Sequence, residues 1–257
     1  MREPKSIAIT GGSSGIGAAL ARRYAREGRI LALSGRDAQR LEAVAQECRT
    51  AGAAVETAVF DVTDHQALGN WLRQSDQNHP LDLVIANAGI SAGTGAFGES
   101  ATQTREILAV NVDGVVSTVL EAVALMRPRR RGQIAIMSSL AAFRGFPGAP
   151  AYCASKAAVR VWGEALRGTV AGEGLTVSVI CPGYIKSPMT AVNDFPMPFL
   201  MDSDRAARII ERGLAAGKAR IVFPRRLFAA VWLLSLLPPS WTDPLLTRLP
   251  EKPASDS

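Results

Sequence analysis

The sequence predicts an α/β fold, a doubly wound parallel sheet of about seven strands with helices on both faces. Three observations carry this. Short β-rich runs alternate with longer helical ones almost from end to end, the pattern of strand–helix–strand crossovers. The runs Ile7–Ile9, Leu83–Ile85 and Ile134–Ile136 are continuously apolar, as strands buried on both faces are. A glycine-rich string follows the first run and opens the first helical stretch, the local context of a strand–turn–helix unit.

The expected strands are Ser6–Thr10, Arg29–Ser34, Ala54–Phe60, Leu81–Ala86, Gln133–Ser138, Leu175–Ile180 and Arg220–Phe223. Helical stretches lie between them at Ile16–Glu27, Ala38–Ala51, Thr102–Met126 and Ala154–Gly172. Ser187–Asp202 breaks the rhythm: three prolines stand among Met189, Phe195, Met197, Phe199 and Met201, as in an apolar loop or short-helix insertion. The second break is Arg225–Leu249, where Leu227–Leu237 is almost wholly apolar. The chain therefore divides into a main domain over 1–224, with an apolar loop near 187–202, and an apolar helical extension with a polar, frayed tail over 225–257.

At 257 residues such a domain holds itself together without disulfides or metal. Hydrophobic residues at 47% and charged ones at 20% are the balance of a soluble globular protein. Cys48, Cys153 and Cys181 lie far apart with no paired spacing, which fits a reducing, cytoplasmic setting. Met1–Lys5 leads straight into a strand, so no signal peptide is expected. No run reaches the roughly 18–20 apolar residues of a spanning helix. The net charge of +6 suits anionic surfaces, but scattered basic residues and few aromatics exclude nucleic acid. His65 and His79 have no clustered ligand partners, which excludes a metal site.

Three motifs carry chemistry. In Thr10-Gly11-Gly12-Ser13-Ser14-Gly15-Ile16-Gly17, glycines let backbone N–H groups approach a pyrophosphate at a helix N-terminus, so a Rossmann-type dinucleotide site is expected. The second strand ends Ser34-Gly35-Arg36-Asp37. An acid there would accept hydrogen bonds from the ribose 2′-hydroxyl; Arg36 instead suits a 2′-phosphate. NADP(H) is favoured, NAD(H) second, and Asp37 caps the next helix. Tyr152 and Lys156, four apart at the start of a helical stretch, share one helix face. An ammonium about 4 Å away would lower a phenol from about 10 by roughly three units. Ser138-Ser139 ends a central strand, where open α/β sheets bind ligands.

Thr10–Gly17, Asp61, Asn87-Ala88-Gly89, Asn111, Ser139, Tyr152, Lys156 and Pro182-Gly183 follow the order and spacing of the short-chain dehydrogenase/reductase family, which the chain resembles from Ser6 to about Ser187. The resemblance implies that Tyr152 gives the proton to the substrate oxygen and that Ser139, thirteen positions earlier, polarises the carbonyl. It implies that Lys156 also holds the nicotinamide ribose and that Asn111 positions a water in a proton relay. Asp61 and Val62 would border the adenine, Asn87, Ala88 and Gly89 the middle of the cofactor, and Pro182, Gly183 and Ile185 the nicotinamide. Ser187 stands where the family usually has threonine, with an equivalent hydroxyl.

The expected activity is hydride transfer between NADP(H) and a carbonyl or secondary alcohol. A non-catalytic scaffold is the alternative; it would have no need of Asn111, Ser139, Tyr152 and Lys156 together. The Met/Phe-rich loop suits a hydrophobic substrate, and the same residues suit packing under the loop or in a homo-oligomer. For Arg225–Trp241 three readings stay open: a buried helix, an oligomer contact, or an interfacial helix on the inner membrane face, anchored by Arg225, Arg226, Trp232 and Trp241.

Overall fold

The computed structural model describes residues 3–94 and 98–248. Its strands are β1 (Ser6–Thr10), β2 (Ile30–Gly35), β3 (Ala54–Val59), β4 (Leu83–Ala86), β5 (Gly132–Met137), β6 (Leu175–Pro182) and β7 (Arg220–Phe223). All pair in parallel, in the order β3-β2-β1-β4-β5-β6-β7. The direction of winding reverses between β1 and β4, the switch point at which such sheets open a crevice. Every strand end that the sequence marked as functional faces that edge.

The helices are α1 (Gly15–Tyr24), α2 (Ala38–Thr50), α3 (His65–Asn78), α4 (Ala101–Leu108), α5 (Gly114–Met126), α6 (Pro150–Val170), α7 (Pro188–Ala191), α8 (Ser203–Ala215), α9 (Arg225–Ser235) and α10 (Pro239–Leu246). Leu20 of α1, Leu41 of α2 and Ile210 of α8 belong to the core on one side of the sheet. Leu68 of α3, Val119 of α5 and Val159 of α6 belong to the core on the other. Strands β1 and β4 are buried end to end and β5 beyond its first residue, and edge strand β3 is largely exposed.

Four expectations change. The single helix expected over Thr102–Met126 is divided by a π turn at Ala109–Asp113. That wider turn places the fully buried Asn111 where its amide can bond two other segments, a use typical of π turns. The combined run Ala101–Met126 is also long and apolar enough to cross a membrane, contrary to the expectation of no such stretch. Half of its most apolar window is buried, because α5 packs on β4, β5 and α3. Helix α6 starts at Pro150, four residues before the expected Ala154, since proline fits the first helical position. Finally, α9 is not a buried helix: Val231 is its one buried residue. The polar tail expected over Glu251–Ser257 lies outside the described residues.

Two glycines of α6 behave oppositely. A Cβ on buried Gly163 would stand 2.7 Å from Ile136 Cδ1 and 2.9 Å from Val179 Cγ2, whereas one on Gly168 meets nothing within 4 Å. Gly163→Ala should destabilise by about 1–3 kcal/mol through overpacking. Gly168→Ala should stabilise by up to about 1 kcal/mol. Urea midpoints check both, and equal shifts of one sign would contradict the close helix–sheet contact.

Candidate active site

A cleft of about 680 Å³ runs along the carboxyl edge of the sheet, from Arg36 and Asp61 at one end to Tyr184, Phe195 and α9 at the other. At its middle, the turn after β1 passes under the loop after β4. Gly11 has φ +68°, and a Cβ there would lie 2.9 Å from Ala88 Cα. On Gly17 it would meet Gly11 O at 2.1 Å. Asn87 Nδ2 donates to Thr10 O at 3.0 Å and Gly11 O at 3.1 Å, locking the two loops together. The result is a glycine-lined cradle at the N-terminus of α1, which fits the pyrophosphate of a dinucleotide. Gly11, Ser13, Ser14, Gly15 and Ile16 line the cleft, and Gly17 lies behind them as the close-packing residue.

The far end is electrostatically mixed. Arg36 Nη1 stands 3.4 Å from Asp61 Oδ2. Burial works against ionisation of Asp61, yet hydrogen bonds from the Thr63 backbone and hydroxyl and from Arg36 outweigh it and hold the carboxyl below the usual carboxylate range. Asp37 caps α2 by accepting from Arg40 N at 2.9 Å, and Arg40 Nε bonds the same carboxylate at 2.7 Å. Arg40 therefore joins Arg36 at the rim of the cleft. The sequence reading had not singled it out, although its place in the first turn after Asp37 was the available signal. Val62 lines the same region.

The serine, tyrosine and lysine that the sequence singled out sit where α6 meets the end of β5. Ser138 Oγ donates to Lys156 O at 2.8 Å, so this serine fastens the helix. Ser139 turns toward the cleft beside the Tyr152 phenol; its hydroxyl donates to Pro182 O at 3.5 Å and accepts from Ala141 N at 3.1 Å. Lys156 is 3% exposed; its Nζ donates to Met137 O at 3.2 Å and lies 5.8 Å from the Tyr152 ring centre. Gly89 completes the fit, since a Cβ there would stand 3.0 Å from Asn111 Oδ1 and 3.2 Å from Lys156 Nζ. Asn111 Oδ1 accepts from Ile90 N at 2.8 Å, and its Nδ2 donates to Ile90 O at 2.9 Å and Ser155 Oγ at 3.1 Å. Asn111 thus ties the loop after β4 to α6. Glu99, also missed by sequence reading, accepts from Ala151 N at 2.9 Å and caps an α6 terminus that Ala149 leaves without a side-chain cap.

One electrostatic expectation is corrected. Lys156 does not depress the phenol among the chain's own groups. Burial raises Tyr152 to about 12, against the smaller lowering effect of its Ser139 hydrogen bond. Burial likewise lowers Lys156 to about 8. Desolvation wins because Lys156 is buried and Tyr152 half-buried in the cleft wall, and the ammonium is directed at a carbonyl rather than at the phenol.

Pro182, Gly183, Ile185 and Ser187 line the other wall. Ser187 caps α7 in a reciprocal arrangement with Thr190, and a Cβ on Gly15 would lie 3.1 Å from it. Beyond them the walls are Met189, Phe195, Pro196, Leu227, Val231 and Leu234. The contribution of α9 was not legible in the sequence, because no local pattern says which face of an apolar helix meets a distant cleft.

Comparison with known proteins places this geometry. The short chain dehydrogenase family model matches residues 5–195. An uncharacterized oxidoreductase of Myxococcus xanthus is 38% identical over 246 residues, 95% of this chain and 97% of the relative. A short-chain dehydrogenase from Sphingobium yanoikuyae in complex with NADPH superimposes with a TM-score of 0.80 at 25% identity, covering 98% of each chain. A Burkholderia phymatum short-chain dehydrogenase/reductase in complex with NAD gives a TM-score of 0.82 at 24% identity, again over 98% of each, and shares the fold. The chain belongs to the short-chain dehydrogenase/reductase family and is an NAD(P)-dependent oxidoreductase.

Proposed function

We propose that this protein is an NADP(H)-dependent reductase or dehydrogenase that interconverts a hydrophobic carbonyl compound and its secondary alcohol. The observation that carries the reading is the convergence of Ser139, Tyr152 and Lys156 at one end of an apolar-walled cleft. The nicotinamide supplies or accepts the hydride when bound; Pro182, Gly183, Ile185 and Ser187 would flank it, and Asp61 and Val62 the adenine. Ser139 Oγ donates a hydrogen bond to the substrate oxygen and Tyr152 gives it the proton. A phenol near 12 stays protonated at neutral pH, so the donor is loaded before substrate arrives. Lys156, charged below about 8, sets the local potential and reaches the ribose. Asn111 and Glu99 act as positioning residues, the first also holding the relay water.

Arg36 and Arg40 beside an acid-free β2 end support the choice of NADP(H). The apolar substrate class is supported by Met189, Phe195, Leu227 and Val231 in the wall. Exposed Leu120 of α5 and Val161 of α6 support a homo-oligomer.

Tyr152→Phe should lower turnover by about 10²–10⁴-fold with NADPH binding retained, read by NADPH oxidation and cofactor titration; near-wild-type turnover overturns the assignment. Arg36→Ala should raise the NADPH KM about ten- to a hundredfold, the loss of a charged hydrogen bond, and leave NADH kinetics nearly unchanged. A wild-type enzyme as efficient with NADH would refute the preference. Carbonyl reduction should also fall as pH rises through about 8, where buried Lys156 loses its charge. A profile flat through that range would remove Lys156 from the account.

A further inference from the structure

We infer that α9 and α10 form a membrane-docking lid, its outer face set against an anionic bilayer and its inner face forming the wall past which substrate enters from lipid. The docking stands on the chemistry of the face itself; substrate entry rests on the hydrophobic-substrate reading above.

Helix α9 is apolar on two opposite sides. Leu227, Val231 and Leu234 form the stripe that lines the cleft. Trp232, Leu233 and Leu236 form the other, and with Leu237, Trp241 and Leu245 they face solvent, Leu236 at 61% and Trp241 at 73% exposure. A helix apolar all round belongs in an apolar surrounding on both sides, and the fold supplies only one. Phe199 and Leu200, in the loop that borders the same cleft, are exposed as well. Exposed apolar side chains are thus gathered around the mouth of the substrate end, which marks an interaction surface.

Charge selects the occupant. Arg225 and Arg226 occupy the first turn of α9, with no acid among them, and no ion pair to either occurs among the described residues. Cations at a helix N-terminus are opposed by the helix dipole, so no contact among the described residues rewards their placement. Arg248 is exposed beyond α10. The one acid between 225 and 248 is Asp243, which faces Arg144 at 3.3 Å. Arginines flanking an exposed tryptophan- and leucine-rich face are complementary to anionic headgroups over acyl chains. A second copy of this chain would present the same arginines and repel.

The lid is joined to the reactive groups. Phe228 stacks edge-on against Phe143 at 5.1 Å, and Arg144 Nη2 donates to Thr242 Oγ1 at 2.6 Å. Both contacts fall on the segment that immediately follows Ser139. A Cβ on Gly183 would lie 3.0 Å from the Leu227 side chain. Lifting α9 therefore opens the cleft directly above Gly183, beside the proton donor.

Flotation of the full-length protein tests this, with vesicles of phosphatidylcholine alone or mixed with phosphatidylglycerol. Wild type should float with the mixed vesicles, less with phosphatidylcholine alone, and less again as salt is raised. Trp241→Glu and Leu236→Glu should each weaken vesicle binding about tenfold or more, with NADPH binding unchanged as the check on folding. Arg225→Glu combined with Arg226→Glu should abolish the preference for phosphatidylglycerol. With a long-chain ketone dissolved in the vesicles, Trp241→Glu should raise KM about tenfold and leave turnover of a short water-soluble ketone unchanged. If wild type stays at the bottom with mixed vesicles, or Trp241→Glu floats equally well, docking is wrong. A wild-type oligomer that Trp241→Glu dissociates, without vesicle binding, would make the face a contact between copies and also overturn the proposal. Docking without any advantage for the vesicle-dissolved ketone would overturn lipid entry while leaving the hydride-transfer reading intact.

Discussion

Gly163 lets the α6 backbone lie directly on Ile136 and Val179, and two turns earlier Ser138 reaches from the end of β5 to the carbonyl of Lys156. These contacts fix the register of α6 against β5. They decide that Ser139, next along the strand, faces Tyr152 rather than some other residue of the helix. Glu99 fixes the helix N-terminus and Asn111 its next turn, through Ser155, from the two segments that follow β4. A hydrogen bond between a strand end and a helix side chain is sensitive to displacements of less than an ångström, so all four attachments serve one distance. The rest of the site is arranged around it.

That fixed geometry also takes Lys156 out of water, and desolvation sets the ionisation of the pair. A lysine at 3% exposure with one carbonyl partner bears a large desolvation cost. The fold offsets part of it through the Met137 carbonyl, which accepts from the ammonium at 3.2 Å. Within the chain alone, the same burial keeps Tyr152 protonated and brings Lys156 near neutrality at mildly alkaline pH. The two groups are poised by their surroundings more than by each other.

The cleft joins two kinds of wall with different origins. Strand ends and glycine turns build the polar half, and its shape follows from backbone approach at Gly11, Gly17 and Gly89. The apolar half comes from the Ser187–Asp202 loop, whose last part runs past the residues 5–195 that the family model covers, and from α9, which lies wholly beyond them. The apolar wall thus rests on elements separate from the glycine turns that shape the polar half. Phe228 and Arg144 keep the variable part coupled to Ser139.

The sequence by itself determined the parallel sheet, the glycine cradle and the Tyr152–Lys156 helix, because each is encoded locally. Apolar runs report two-sided burial, glycine reports positive φ and close approach, and a spacing of four reports a shared helix face. Strands Ser6–Thr10 and Arg220–Phe223 were readable to the residue. Only the tertiary structure decided the π turn at Asn111, the capping by Glu99 and the division of α9 into a cleft face and a solvent face. Each of these depends on a partner far away in the chain: Ile90 for Asn111, Ala151 for Glu99, Gly183 for Leu227. The ionisation of Tyr152 and Lys156 belongs with them, because desolvation is a property of everything packed around a group, and no local spacing records it.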